Sequence, residues 1–180
     1  MAKWIALFRG VNVGGKNTIP MAGLRKLLET IDVQSVKTYI QSGNVVFESS
    51  AKSAAVLGKR IGSLVEQEYG FHPQILVLPS HELAAAVAAN PFPEAEADPK
   101  SLHLFFLESR PRTPDIEKLD QAKKASEAYV WSDRVFYLHA PEGVGRSKLA
   151  ASIERYLGVT ATARNFRTVK KVLALADASS

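Results

Sequence analysis

Two stretches of this 180-residue chain carry residue types that could hold a phosphate. In Gly10-Val11-Asn12-Val13-Gly14-Gly15-Lys16-Asn17, glycines 10 and 15 flank four residues and precede a lysine, close to the phosphate-cradling P-loop pattern. Asn17 stands where that pattern needs serine or threonine. In a P-loop the lysine opens a helix whose N-terminal amides hold the phosphate, whereas Pro20 here sets the helix start several residues later. A nucleotide triphosphatase therefore does not follow. A glycine-rich loop between Arg9 and Lys16 can still turn backbone N–H groups toward an anion, or its glycines can serve positive φ alone.

The second stretch is Gly143-Val144-Gly145-Arg146-Ser147-Lys148. Ser147 between two cations could help bind phosphate, and it could equally be a plain helix N-cap. A nucleophile elbow fails because Leu149 occupies the place of the second glycine. Ser147 and Lys148 are adjacent in a helical turn and do not face one another as a dyad. Histidines 72, 81, 103 and 139 fall on separate elements, and Ala85 takes the second ligand position of the zinc-protease pattern that His81-Glu82 would open. No metal site and no cofactor are expected. No paired carboxylates mark a catalytic centre, so catalytic residues are left unassigned.

The elements that would position these residues can be read from periodicity. Residues 3–8 form a first strand and 9–18 a long loop. Pro20 suits the first turn of a helix continuing through Leu24, Leu27 and Leu28. Residues 36–41 and 44–48 are rich in β-branched and aromatic types and flank Ser42-Gly43, a hairpin signal. Alternation there puts Lys37, Tyr39 and Gln41 on one face and Val36, Thr38 and Ile40 on the other. A helix over 54–69 and a strand over 74–78 complete a βαββαβ order. Ser80 caps a short alanine-rich helix through Ala89, and the proline-rich, acidic residues 90–99 read as a linker. Beyond it the order repeats: strand 102–107, helix 115–125, strands 128–131 and 135–139, helix 147–157 and strand 160–164. A last helix covers 166–176.

The expected fold is therefore α+β, a tandem duplicated ferredoxin-like arrangement (βαββαβ twice) with antiparallel sheets and an extra C-terminal helix. The expected domains are 1–90, the first half with its linker helix, and 91–180, the second half with the terminal helix. The RNA-binding members of this topology stack bases on sheet aromatics, but their signature is missing here.

Composition bounds the rest. An apolar content of 46% suffices for a packed core, and the absence of cysteine removes disulfides and thiolate metal sites. The apolar run before Arg9 is too short for a secretory leader, and no segment approaches about 18 uninterrupted apolar residues, so a cytoplasmic protein without a membrane partner is expected. The net charge is +5. It is concentrated toward the end, where Arg146, Lys148, Arg155, Arg164, Arg167, Lys170 and Lys171 face only Glu154.

Four motifs extend the reading. Residues 9–15 (Arg-Gly-Val-Asn-Val-Gly-Gly), 38–47 (Thr-Tyr-Ile-Gln-Ser-Gly-Asn-Val-Val-Phe), Ser147-Lys148-Leu149 and Ala161-Thr162-Ala163-Arg164-Asn165 closely resemble the uncharacterised bacterial domain-of-unknown-function family numbered 1697. The resemblance spans almost the whole chain. It implies a bacterial cytoplasmic protein with a duplicated ferredoxin-like fold, and it brings no activity, cofactor or catalytic residue. This chain departs from the family's Arg-Asn-Trp-Asn-Thr ending with Arg164-Asn165-Phe166-Arg167-Thr168.

Three functions follow from these residues. The first is binding of a small anionic ligand, a nucleotide or phosphorylated metabolite, through Arg9, Asn12, Lys16, Gln41, Ser42, Asn44, Lys148 and Arg164. The second is nucleic-acid binding through the C-terminal basic region, with affinity falling steeply in salt. The third is an enzyme using backbone donors with Ser42, Ser147 or a tyrosine. Strand geometry adds one placement. A helical crossover makes the first two strands parallel, so Arg9 and the 41–44 hairpin tip should emerge at the same end of their sheet.

Overall fold

The computed structural model describes residues 1–178. The first half runs β1 (Ala2–Arg9), α1 (Met21–Leu28), β2 (Val33–Tyr39), β3 (Asn44–Ser49), α2 (Ala54–Tyr69), β4 (Gln74–Pro79) and α3 (Ser80–Ala88). The second half runs β5 (Leu102–Leu107), α4 (Ile116–Ala122), β6 (Ala128–Ser132), β7 (Val135–His139), α5 (Lys148–Leu157), β8 (Ala161–Asn165) and α6 (Phe166–Asp177). The strand orders are β2-β3-β1-β4 and β6-β7-β5-β8, two antiparallel four-stranded sheets of one topology. The α+β fold with its repeated βαββαβ order is thus as expected. Each repeat in fact carries one more helix, since α3 and α6 both follow their last strand without an intervening residue.

By compactness the chain divides into Met1–Ala85 with the segment from Lys171 onward, and Ala86–Lys170. Both divisions fall inside a helix, α3 and α6.

In the first unit the sheet face bearing Trp4, Ala6, Phe8, Val45, Phe47 and Val77 packs on Leu24 and Leu28 of α1 and Leu57, Ile61 and Val65 of α2. The spacing of those helical residues places them on one stripe. Both ends of α2 are specified locally. The Ser53 side chain accepts from the Val56 N–H, and Gly70, at φ 76°, closes the helix with its N–H on Glu66 O. Pro20 precedes α1 with φ −63° and ψ 126°, extended as a helix entry requires. In the second unit Phe105, Leu107, Phe136 and Leu138 pack on Leu119, Leu149, Ile153 and Leu157. Asp115 and Ser147 cap α4 and α5 through the N–H groups of Lys118 and Ala150.

Four local features differ from the sequence expectation. β2 begins at Val33, with a register shift between Gln34 and Lys37 where Ser35 takes φ 56°. The strand ends at Tyr39, so Ile40 leaves the alternation at φ 50° and is 51% exposed. α4 stops at Ala122, short of 125. The acidic linker contains a 3₁₀ turn, Pro93–Ala97, that buries Ala95.

Candidate functional site

β1 pairs with β3 in the register Leu7 opposite Asn44, and β3 pairs with β2 in the register Tyr39 opposite Asn44. β1 and β2 therefore run parallel, one strand apart. The loop after Arg9 and the turn at residues 40–43 emerge at the same end of the first sheet, as the crossover argument requires.

The glycine-rich loop is a small hairpin. Val13 and Lys16 form an antiparallel bridge, with the Lys16 N–H donating to Val13 O at 3.2 Å. Gly14 and Gly15 between them take φ 61° and 73°, the two positive values that a tight two-residue hairpin turn demands. One step further down, the Asn12 N–H donates to Asn17 O at 3.1 Å, and the Asn17 side chain reaches Gly10 O at 3.2 Å. Gly15, one of the two glycines of the near P-loop pattern, thus serves a turn together with Gly14, and the chain passes from Lys16 into the return arm of a hairpin and not into a helix.

One side chain ties this hairpin to its neighbour. Asn12 Nδ2 donates to Ile19 O at 2.9 Å and to Gln41 O at 2.6 Å, while Asn12 Oδ1 accepts from the Ile19 N–H at 2.8 Å. It closes the base of the loop and fastens it to the 40–43 turn. That turn is held from below. The Phe8 N–H donates to Gly43 O at 2.8 Å, and buried Asn44 donates through Nδ2 to Tyr39 O and to Ser42 Oγ, both at 3.0 Å. Gly43 is required by space as well as by φ. A Cβ there would lie 2.5 Å from Phe8 Cβ and 2.9 Å from Val11 Cγ2, at φ +75°.

The structure therefore brings Arg9, Asn12, Lys16, Gln41, Ser42 and Asn44 to one end of the first unit. Asn12 and Asn44 use their amides to hold backbone. Arg9, half-buried, closes β1 opposite Gln74, while Lys16 and Gln41 are exposed and Ser42 is partly so. The residues that sequence reasoning missed here are Val11, Ile19 and Phe8. These buried side chains anchor both loops, and only their apolar character could have marked them.

Lys148 and Arg164 lie in the second unit. Lys148 is the first residue of α5. Arg164 lies in β8 opposite Leu104 and donates to Ala163 O at 2.9 Å; burial pushes its guanidinium down to about 10. Other cations of the basic C-terminal region hold local partners. The Arg155 guanidinium is 5.7 Å from the Tyr156 ring, and Lys170 lies 5.2 Å from the Phe166 ring and 3.6 Å from Glu96. Both candidate serines have structural work, Ser42 as acceptor from Asn44 and Ser147 as the cap of α5. Among the described residues no group of three histidines or carboxylates is placed to hold a metal ion, and no helix is long and apolar enough to cross a membrane.

Comparison with known proteins adds the following. A family model described as a protein of unknown function, DUF1697, matches residues 1–137. A conserved bacterial protein, SP0830 from Streptococcus pneumoniae, is similar in structure at a TM-score of 0.73 and 23% identity, over 97% of this chain and 98% of that one. At that identity the likeness speaks for the fold. No curated protein matches the chain.

Proposed function

We propose, from the premise that the chain belongs to the DUF1697 family of proteins of unknown function, that it is a cytoplasmic protein binding a small anionic ligand, a nucleotide or phosphorylated metabolite, at the loop end of its first unit. The observation that carries this reading is the Asn12 clamp. It joins two loops, otherwise 29 residues apart in sequence, into one surface whose shape exists before any ligand arrives. Preorganisation of this kind removes the ordering cost that a flexible loop would impose on binding. Arg9 and Lys16 supply charge, Ser42 and Gln41 supply side-chain hydrogen bonds, and the Gly14-Gly15 turn supplies backbone N–H groups that accept no steric shield from a side chain. Asn12 and Asn44 act as positioning residues. The reading needs the first unit alone.

Isothermal titration of the full chain with ADP, inorganic phosphate and uncharged adenosine tests this. The expected result is a dissociation constant on the order of 10⁻⁴ M or tighter for ADP, weakened at least about tenfold by Lys16→Glu, and no binding of adenosine. Absence of heat with every anion, or an affinity indifferent to Lys16→Glu, contradicts it.

A further inference from the structure

Each sheet has two edge strands, β2 and β4 in the first unit and β6 and β8 in the second, and an edge left open is a template for another chain. Three of these edges are closed. β2 carries the irregularity between Gln34 and Lys37 and the charge of Lys37 itself, and the Arg25 guanidinium donates to Thr38 Oγ1 at 2.7 Å. β4 ends in Pro79, which has no N–H to offer, and α2 lies close enough that a Cβ on Gly58 would stand 3.9 Å from Ile75 O. Along β8 the Ala161 N–H donates to Glu154 Oε1 at 2.7 Å, and Ala163 O accepts from the Arg164 guanidinium at 2.9 Å.

β6 has none of these devices. It pairs with β7 in unbroken register, and its residues Ala128, Tyr129, Val130, Trp131 and Ser132 include no proline, glycine or charge. The direction of its main-chain groups follows from the neighbouring ladder. The Leu107 N–H donates to Arg134 O and the Ala140 N–H to Ser101 O, so even-numbered residues along β7 turn toward β5. Val135, Tyr137 and His139 then turn toward Ser132, Val130 and Ala128. Tyr129 and Trp131 therefore aim N–H and C=O outward, and among the described residues neither makes a main-chain hydrogen bond beyond the sheet. Their side chains share the helix-packed face, where the Tyr129 ring stacks on Phe136 at 4.8 Å and the Trp131 indole N–H donates to Asp133 O at 2.9 Å. Val130 lies on the other face and is 39% exposed.

We infer that β6 is the contact by which two copies of this chain join, strand against antiparallel strand, so that two four-stranded sheets become one. A two-fold axis through Val130 sets Tyr129 opposite the second copy's Trp131, and each such pair exchanges both N–H···O bonds. The same register pairs aromatic with aromatic on one face, Val130 with its own copy on the other, and Ala128 with the second copy's Ser132. It also brings Glu127 opposite Asp133. Their charges are held within each copy, because Glu127 is 4% exposed with its carboxylate on the Lys124 N–H, and Asp133 is paired with Arg110. A second copy is favoured over a foreign strand because the outward pair is its own complement, and an uncharged strand gives an acidic or basic peptide nothing to match. A contact of this size falls below the about 1,200 Å² of a standard interface, so the dissociation constant is on the order of 10⁻⁵ to 10⁻⁴ M.

Sedimentation equilibrium of the full chain from about 10 µM to about 1 mM, with amide hydrogen exchange at both limits, tests this. The expected result is a reversible monomer–dimer equilibrium in which the amides of Tyr129 and Trp131 exchange at least about fivefold slower at the high limit. Those of Val130, and of Lys37 on the β2 edge, should not change with concentration. Val130→Lys sets like charges across the axis and should weaken association about tenfold or more, less so in high salt, whereas Val130→Thr should retain it. A chain that stays monomeric throughout, a dimer indifferent to Val130→Lys, or Tyr129 and Trp131 amides that ignore concentration overturns the proposal.

Discussion

In the first unit the connection between β2 and β3 is the excursion at residues 40–43, whereas in the second unit β6 and β7 are joined through Asp133 and Arg134 alone. Both turns make the same bond to the central strand, Phe8 N–H to Gly43 O and Leu107 N–H to Arg134 O, each at 2.8 Å. The scaffold is therefore common, and what differs is how each end is elaborated. The first unit adds loops at the end holding Arg9 and Asn44. The second adds the acidic segment at the end where α6 starts. A duplicated sheet fixes the ladders and the core, and leaves its two ends independent, because loop residues bear few of the packing constraints that strands do. Features absent from the other copy are then the natural place to look for function.

The sharpest way to break this comparison is at the turns. Gly43→Ala puts a Cβ against Phe8 and Val11 at positive φ, and the expected loss in urea unfolding is about 4 kcal/mol. Asp133, at φ 53°, sits in the plain turn, and Asp133→Gly should change stability by no more than about 1 kcal/mol. Equal costs would mean that the first turn is no more constrained than the second.

A second contrast lies at the matching positions Trp4 and His103, of which only the histidine titrates. Burial pushes His103 down to about 4 from an ordinary 6.5. Between those two values the unfolded chain binds a proton that the folded chain does not, so stability falls as pH drops below about 6.5 and levels off below about 4. The full loss is about 3 kcal/mol. Urea midpoints of wild type and His103→Phe measured from pH 7 to 4 check it. The variant should lose most of the slope, and an unchanged slope would remove His103 as its cause.

The third effect is smaller. Asn12→Ala deletes the three side-chain bonds at Ile19 and Gln41 and should cost about 2 kcal/mol. Faster amide exchange should be confined to Asn12, Lys16 and Ile19, with the second unit untouched. Exchange that rises throughout the first sheet would show that the clamp supports the sheet and not just the loops.

These residues also show how far sequence carries. The extent of α2 was legible because Leu57, Ile61 and Val65 keep helical spacing, while the Ser53 cap and the Gly70 stop emerged with the structure. The common end of Arg9 and Ser42 followed from the helical crossover alone, which makes the first two strands parallel. Asn12 was legible as important but not for its job, since its partners Ile19 and Gln41 are fixed only when the loops meet. Ser35 gave no sign of the β2 irregularity, because a positive φ at serine has no sequence mark. The basic C-terminal residues were visible as charge, while the burial of Arg164 and the pairing of Lys170 with Glu96 depend on folding.

The central claim, that the clamped loop end of the first unit is a preformed anion site, is met most directly by ¹⁵N-resolved titration of the full chain with ADP. The account predicts saturable amide shifts at Gly14, Gly15, Lys16 and Ser42, abolished by Lys16→Glu, with the resonances of Asn12 and Asn44 side-chain amides retained before and after ligand. Shifts that gather elsewhere, or loop amides that are averaged in the free protein and sharpen only on binding, would contradict it.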